Sequence, residues 1–150
     1  MKIINLTQHR ATAEQIAAGV FDLTIQGDDF AAAVGLRQDQ FGYYEGLADV
    51  LTFDSLASTS KMTSRAILLA QAAIKSGATH AMIGGAPFFM PTLERVLAQR
   101  GIQPLYAFSV RESVEVTEQD GSVTKKAVFR HAGFVKADVV IGMPDAIEEV

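Results

Sequence analysis

The chain has 150 residues, of which 49% are hydrophobic and 20% are charged, and its formal net charge at pH 7 is −4. This length and this composition are typical of one globular α/β domain, which we expect to span residues 1–150. The negative net charge disfavours non-specific binding to duplex DNA or to an anionic membrane. Because the chain contains no cysteine, disulfides, cysteine-ligated zinc and thiol nucleophiles are excluded.

The sequence also argues against export and membrane insertion. The apolar run at Met1–Asn5 is too short for the hydrophobic region of a signal peptide. The uncharged stretch Ser76–Leu93 is interrupted by glycines and prolines, so it cannot form a spanning helix. We therefore expect a soluble, cytoplasmic protein.

The first elements in the chain are predicted from local patterns. Residues Lys2–Leu6 form an apolar run that predicts a strand. Thr12 and Gln15 have the spacing of a capping box, which predicts the start of a short helix that ends at Gly19. In Val20–Ile25 apolar and polar residues alternate, which indicates a half-buried strand.

Residues 26–49 are the least readable part of the chain. A short helix is predicted over Phe30–Val34. Three aromatic residues follow, and they either fold back onto the core or face a partner chain: Phe41, Tyr43 and Tyr44.

The second half alternates between helices and strands. Ser60 is predicted to cap a helix that runs to about Ser76, because five residues form one apolar stripe at helical spacing: Met62, Ala66, Leu69, Ala70 and Ala73. A buried strand is predicted at Thr79–Ile83, a helix at about Pro91–Arg100 and a further strand at Pro104–Phe108. Short connections between such elements favour a parallel sheet with right-handed crossovers.

A β-hairpin is predicted around Asp120-Gly121, a dipeptide typical of two-residue hairpin loops. That loop would place Glu115 opposite Lys126 and Arg111 opposite Arg130. It would also direct five apolar side chains inward: Val114, Val116, Val123, Ala127 and Phe129. A last strand is predicted at Ala137–Ile141 and a terminal helix at Pro144–Val150.

Polar residues follow the carboxyl ends of three predicted strands, where ligands bind in open parallel sheets. We predict a site for a small anionic, nucleotide-like ligand, whose binding residues are Asn5, Thr7, Arg10, Gly84, Gly85, Ser109 and Arg111. Arg130 joins this set if an anion lies between it and Arg111. Backbone N–H groups at a glycine turn before a helix, together with arginines, are typical of phosphate sites.

His9 is the candidate catalytic residue, because a histidine side chain can act as a general acid or base near neutral pH. A solvent-exposed or capping role is the alternative. No cofactor and no metal are predicted, since the three histidines have unrelated spacings and the chain lacks dinucleotide-binding and P-loop motifs.

The order of elements resembles that of the small CARF-type nucleotide-sensing domains of CRISPR accessory proteins and their ring-nuclease relatives. The similarity lies in the polar loop Asn5–Arg10, the turn Gly84-Gly85 and the segment from Arg111 to Ser113 before the hairpin. It implies a Rossmann-like α/β fold, with a mainly parallel sheet flanked by helices and a C-terminal antiparallel β-hairpin. It also implies a homodimer that holds a cyclic oligoadenylate across its two-fold axis.

Three functions stay open at this point. The first is a Rossmann-like domain that binds a nucleotide or another phosphorylated ligand, with phosphoester chemistry if it is an enzyme. The second is a protein-interaction module without a small-molecule site, which would use the three aromatic residues and the hairpin. The third is an isomerase or lyase that acts on a small carboxylate with Glu112 or Asp54 as base.

Overall fold

The computed structural model describes residues 1–142, so the predicted terminal helix at Pro144–Val150 lies outside the described residues. The strands are β1 (Ile3–Leu6), β2 (Val20–Asp22), β3 (Gln38–Asp39), β4 (Gly42–Tyr43), β5 (His80–Ile83), β6 (Gln103–Thr117) and β7 (Val123–Lys136). The helices are α1 (Ala13–Ala17), α2 (Gly27–Val34), α3 (Leu47–Leu51), α4 (Thr59–Lys75) and α5 (Met90–Gln99). The mixed α/β architecture agrees with the prediction.

The main sheet has the strand order β2-β1-β5-β6-β7. The first four strands are parallel, and β7 pairs with β6 in the antiparallel direction. After β1 the chain moves to one side to form β2, and it then crosses back to form β5 on the other side. Right-handed crossovers in these two directions place the connecting helices on opposite faces of the sheet.

The larger part of the core lies on the face covered by α2–α5. Ile4, Leu6, Ala81 and Ile83 of the sheet belong to this cluster, and all are buried. The predicted stripe of α4 packs here, with the helix beginning after Ser58 rather than Ser60 because the hydroxyl of Ser58 accepts from the backbone N–H of Lys61. On the opposite face a smaller buried cluster contains Ile3, Val20, Met82 and Leu105.

Arg65 of α4 binds the end of α3, for which no element was predicted from the sequence. The side chain is buried, and Nη1 donates to the carbonyl oxygens of Asp49 and Val50 at 3.2 Å and also to that of Thr52. Its guanidinium carbon lies 4.5 Å from the ring centroid of Phe53. One cation therefore satisfies the carboxyl end of α3 and fastens it to α4, as expected for a helix whose last carbonyl groups lack partners.

The predicted hairpin is present, but its predicted register is wrong by one residue. Arg111 lies opposite Phe129, and Arg130 lies opposite Val110. The two arginines therefore project from opposite faces of the hairpin, since neighbouring residues of a strand alternate between faces.

The turn geometry explains the difference. A two-residue type I′ loop needs positive φ at both central residues. Gly121 has φ +87°, but no residue other than glycine has positive φ within residues 1–142. The loop closes instead through donation from Gly121 N to Glu118 O and from Glu118 N to Ser122 O. It is longer by one residue, which moves every side chain of one strand to the other face.

Beyond the body of the protein, β6 and β7 continue as a two-stranded ribbon, which we call the arm (residues 107–134). The pairing of β5 with β6 ends at Met82↔Leu105, whereas β6 runs on to Thr117. The predicted inward packing of the hairpin is wrong, because Phe129 is 72% exposed and Val123 is 58% exposed. The predicted strand at Ala137–Ile141 is also absent, since the chain leaves the sheet after Lys136.

Replacement of Arg65 should destabilise the protein, because the carbonyl oxygens of Asp49, Val50 and Thr52 would lose the hydrogen bonds that Arg65 donates. We expect Arg65→Met to lower the free energy of unfolding by about 2 kcal/mol or more, measured by urea denaturation. The matched control is Arg95→Met on the exposed side of α5, which should change stability by less than about 0.5 kcal/mol. Equal losses in the two variants would contradict this role of Arg65.

Candidate functional site

A cavity of about 700 Å³ opens at the carboxyl ends of β1, β5 and β6. The loop after β1 forms one wall, α1 and its first residues form another, and the turn after β5 closes the base. The lining residues are Thr7, Gln8, His9, Arg10, Thr12, Gln15, Met82, Ile83, Gly84, Gly85, Ala86, Tyr106 and Ala107.

The loop after β1 is held by the buried side chain of Asn5, which is 3% exposed. Its Nδ2 group donates to His9 O and to Asp22 Oδ1, both at 2.7 Å. Its Oδ1 atom accepts from Thr7 N at 3.0 Å and from Thr7 Oγ1 at 2.7 Å. These bonds use both donors and both acceptor positions of the amide. Asn5 therefore positions the loop, and in this structure its polar atoms do not face the cavity as ligand donors.

Asp22 completes this connection from the neighbouring strand β2. Its carboxylate also accepts from the backbone N–H of Ala11, at 3.1 Å to Oδ1. The chain between Thr7 and Ala11 is thus tied at its start by Asn5 and at its end by Asp22. His9 and Arg10 lie between these two points with exposed side chains, so the loop presents them at the mouth of the cavity.

The capping box of α1 forms the second wall, and its predicted hydrogen bonds are confirmed. Thr12 Oγ1 accepts from Gln15 N, and Gln15 Oε1 accepts from Thr12 N at 3.0 Å. Within residues 1–142 the hydroxyl proton of Thr12 and the two N–H groups of Gln15 Nε2 have no hydrogen-bond acceptor, so they are able to donate in another direction. Both residues line the cavity, so the cap also supplies donors to it.

The glycine turn after β5 forms the base of the cavity. Gly85 has φ +138°, a conformation that side chains rarely adopt, and a Cβ atom at Gly84 would lie 3.6 Å from Thr7 Cγ2. The turn and the loop after β1 are therefore in contact distance, as the prediction of converging strand ends requires. In this part of the chain Ala86 is the last lining residue before α5. The glycine turn therefore faces the cavity, whereas the first residues of α5 do not line it.

Tyr106 contributes a partly apolar wall. Its hydroxyl donates to Glu94 Oε2 of α5, and burial together with the neighbouring Glu94 carboxylate raises the pKa of Tyr106 well above its usual range. The phenol therefore stays protonated at neutral pH. The hydroxyl proton of Tyr106 is directed at Glu94, so this lining residue does not donate its hydrogen bond into the cavity.

Of the nine predicted site residues, the structure brings five to the cavity and places four outside its lining. Those that line the cavity are Thr7, His9, Arg10, Gly84 and Gly85. Asn5 is outside the lining because its amide holds the loop after β1. Ser109, Arg111 and Arg130 lie on the arm, because β6 continues past the point where the sequence placed its end. Glu112 and Asp54, the alternative bases, are also outside the lining.

Sequence reasoning missed Gln8, Thr12, Gln15 and Tyr106 as lining residues. The capping box could be recognised from its spacing, but its position at the cavity depends on the order of strands in the sheet. Gln8 Nε2 donates to Leu51 O at 3.2 Å. The acceptor is a backbone carbonyl at the end of α3, so no residue pattern in the sequence predicted this contact.

Two further properties of residues 1–142 bear on the site. No group of three or more histidine, aspartate or glutamate side chains is arranged there to hold a metal ion. Within the same residues, every helix is either too short or too polar to cross a membrane.

Comparison with known proteins places the chain in one family. Residues 46–135 match the family described as Uncharacterized protein MJ1673 family. This match covers more than half of the chain, which therefore belongs to that family. It includes the turn Gly84-Gly85 and the arm, but not β1 and the loop that follows it. No curated protein and no solved structure matches the chain.

The pairing of Asn5 with Asp22 predicts a specific pattern of stabilities. Asn5→Asp should lower the free energy of unfolding by about 2 kcal/mol or more, because it sets two carboxylates side by side and removes the donor to His9 O. The exchanged variant Asn5→Asp/Asp22→Asn restores one amide and one carboxylate, so it should recover part of this loss. The measurement is urea denaturation, with Asp22→Asn alone as the matched control. A double variant as unstable as the sum of the single variants would contradict the pairing.

Proposed function

We propose that the protein binds a nucleotide or another phosphorylated small ligand in the cavity at the strand ends. The sheet order supports a Rossmann-like interpretation of the fold, because β1 lies between β2 and β5 and the chain adds strands first on one side of β1 and then on the other. Such a reversal creates a crevice outside the carboxyl ends of the two central strands, and ligands of doubly wound sheets bind there. The cavity lies at this crevice, and its volume of about 700 Å³ is in the usual range for small-molecule sites.

The observation that carries the proposal is the chemistry of the lining. Every polar side chain that lines the cavity in the described part of the chain is neutral or basic, and none is a carboxylate. Arg10 supplies a planar set of donors suited to phosphate or carboxylate oxygens, and Thr12 and Gln15 of the same lining add neutral donors. The backbone at Gly84 and Gly85 is open to close approach because neither residue carries a side chain.

The remaining lining suits the apolar part of a nucleotide. Met82 of β5, Ala86 of the turn that follows it and Tyr106 of β6 belong to the lining. A flat aromatic base can pack against such side chains while its phosphate lies near Arg10, and base stacking on an aromatic ring is worth about 1–3 kcal/mol. A ligand with both a planar apolar group and an anionic group matches this division better than a simple anion does.

If the bound ligand is a phosphoester, His9 is the residue placed to transfer protons. In hydrolysis a water molecule forms the new bond to phosphorus and loses a proton to His9, and the bond from phosphorus to the leaving oxygen breaks. The leaving oxygen takes up a proton from solvent, to which the exposed His9 returns the proton that it accepted. Arg10 and the N–H groups of the glycine turn would stabilise the charge on the other phosphate oxygens.

The proposal includes a cytoplasmic homodimer as the ligand-binding form. A role in protein interaction is the second candidate, and the exposed apolar side chains of the arm favour it. The two functions are compatible because the arm starts at Ala107, the last residue of the cavity lining.

Ligand binding should depend on Arg10 and not on Arg111. We expect a thermal-shift screen against mononucleotides, linear and cyclic oligonucleotides, sugar phosphates and small carboxylates to identify a phosphorylated ligand. At a concentration of about 100 times its dissociation constant, such a ligand adds about 2.7 kcal/mol of stability. Arg10→Ala should abolish this shift, whereas the matched control Arg111→Ala should retain it. Loss of the shift in Arg111→Ala alone would contradict the cavity as the binding site.

Turnover of a phosphoester ligand would depend on His9. His9→Ala should lower kcat by about 10²- to 10⁴-fold, the usual contribution of a positioned acid or base. It should leave the ligand-induced thermal shift in place, because Arg10 and the glycine turn supply the binding contacts. Product formation measured with the ligand in saturating excess over the protein gives kcat and provides the test. An unchanged rate would exclude His9 as the proton-transfer group.

A further inference from the structure

The arm is an unsupported two-stranded ribbon in residues 1–142. From Ala107 to Thr117, β6 has β7 as its one hydrogen-bonded neighbour, and β7 has no second neighbour in the described sheet. Over this length the ribbon extends about 35 Å from the body. An isolated two-stranded hairpin is marginally stable in water and is stabilised by a third strand or by packing against another surface.

One face of the arm is rich in apolar side chains. Residues opposite each other in the observed register share a face, and Val110 pairs with Arg130, Glu112 with Val128, and Val114 with Lys126. We call this the valine face; its members are Phe108, Val110, Glu112, Val114, Val116, Thr124, Lys126, Val128 and Arg130. Phe108 is 53% exposed and Val110 is 40% exposed, while Val114, Val116 and Val128 are partly exposed. The other face carries fewer large apolar side chains, although two of them, Phe129 and Val123, are more exposed. Exposed apolar side chains in a continuous patch mark interaction sites, so we expect this face to pack against another surface.

The charges on the valine face are divided between the two strands. The acidic group, Glu112, is on β6, and the basic groups, Lys126 and Arg130, are on β7. Within one arm, Arg130 Nε lies 3.5 Å from Glu112 Oε2, and both side chains are about half exposed. The face is therefore complementary in charge to a second surface that places basic groups over β6 and acidic groups over β7.

A second copy of the same face meets this requirement in one arrangement. If two arms pack face to face about a two-fold axis parallel to the strands, β6 of each copy lies over β7 of the other. Glu112 of one arm is then near the basic side chains of its partner, and the valines of both arms meet between them. In an alternative dimer the two arms would pair side by side through the free edges of their β6 strands. That arrangement would bring the acidic strands together, which is unfavourable.

We propose that two copies of the chain associate through the valine faces of their arms, with the acidic strand of each arm over the basic strand of the other. This inference goes beyond ligand binding, because it assigns a surface and a partner to the arm and does not depend on the occupant of the cavity. Ligand binding can therefore fail while the association holds. If the association fails and the ligand still binds, the homodimer as the ligand-binding form is overturned as well, whereas the cavity as the binding site is not.

The first test compares the same substitution on opposite faces of β6. Val114→Glu adds a charge to the valine face, and the matched control Ser113→Glu adds it to the adjacent residue on the other face. Sedimentation equilibrium should give a dimer for the wild type and for Ser113→Glu, and a dissociation constant at least about tenfold higher for Val114→Glu. A monomeric wild type, or equal effects of the two variants, would overturn the proposal.

The second test separates contact between arms from damage within an arm. Glu112→Lys makes all charges on the valine face basic, whereas Lys126→Glu/Arg130→Glu makes them all acidic. Each variant alone should be monomeric at concentrations where the wild type is dimeric. An equimolar mixture should form a one-to-one heterodimer, because each acidic strand again lies over a basic one.

Misfolding of the arm cannot produce that rescue, since mixing does not repair a defect within one chain. Two variants that stay monomeric when mixed, or variants that dimerise alone as well as the wild type does, would overturn the proposal. Circular dichroism of each variant checks that the body remains folded.

Discussion

The hydrogen bonds of the Asn5 side chain are the interaction on which the candidate site depends. A buried amide must have its donors and acceptors satisfied, and here the partners come from Thr7, His9 and Asp22. Because Asp22 also binds Ala11 N, the loop is fixed at both of its ends. An anion site built on a free loop would lose binding energy to ordering of the chain, whereas this loop is already ordered for the ligand that we propose.

The order of strands explains why the cavity and the arm lie at the same edge of the sheet. β5 ends at Ile83 and gives way to the glycine turn, but the parallel neighbour β6 continues for twelve more residues beyond its last pairing with β5 at Leu105. The arm therefore begins at the rim of the cavity. Two copies joined through their arms would hold their cavities near a common axis, so association of the arms and ligand binding could influence each other.

Local signals in the sequence predicted several parts of this structure. The capping box of Thr12 and Gln15, the apolar stripe of α4 and the turn at Gly84-Gly85 depend on residues close in the chain, and each was found near its predicted position. The convergence of the loop after β1 with the glycine turn also followed, since the carboxyl ends of parallel neighbours meet at one edge.

The parts that could not be predicted depend on contacts between distant residues or on a single backbone angle. Arg65 holds α3 through backbone carbonyl groups, and carbonyl acceptors leave no pattern in a sequence. The observed hairpin register differs from the predicted one because Asp120 does not have positive φ, although an Asp-Gly sequence permits that conformation. The alternating residues of the arm resemble those of a half-buried strand, so the pattern could not indicate that no other element within residues 1–142 covers them.

The most direct test of the account is a map of amide chemical-shift changes in ¹⁵N-labelled protein, titrated with the phosphorylated ligand that gives the largest thermal shift. The account predicts that the largest changes occur at Arg10, Gln15, Gly84 and Gly85, which surround the cavity. Changes confined to the arm, or to helices away from this edge of the sheet, would contradict it.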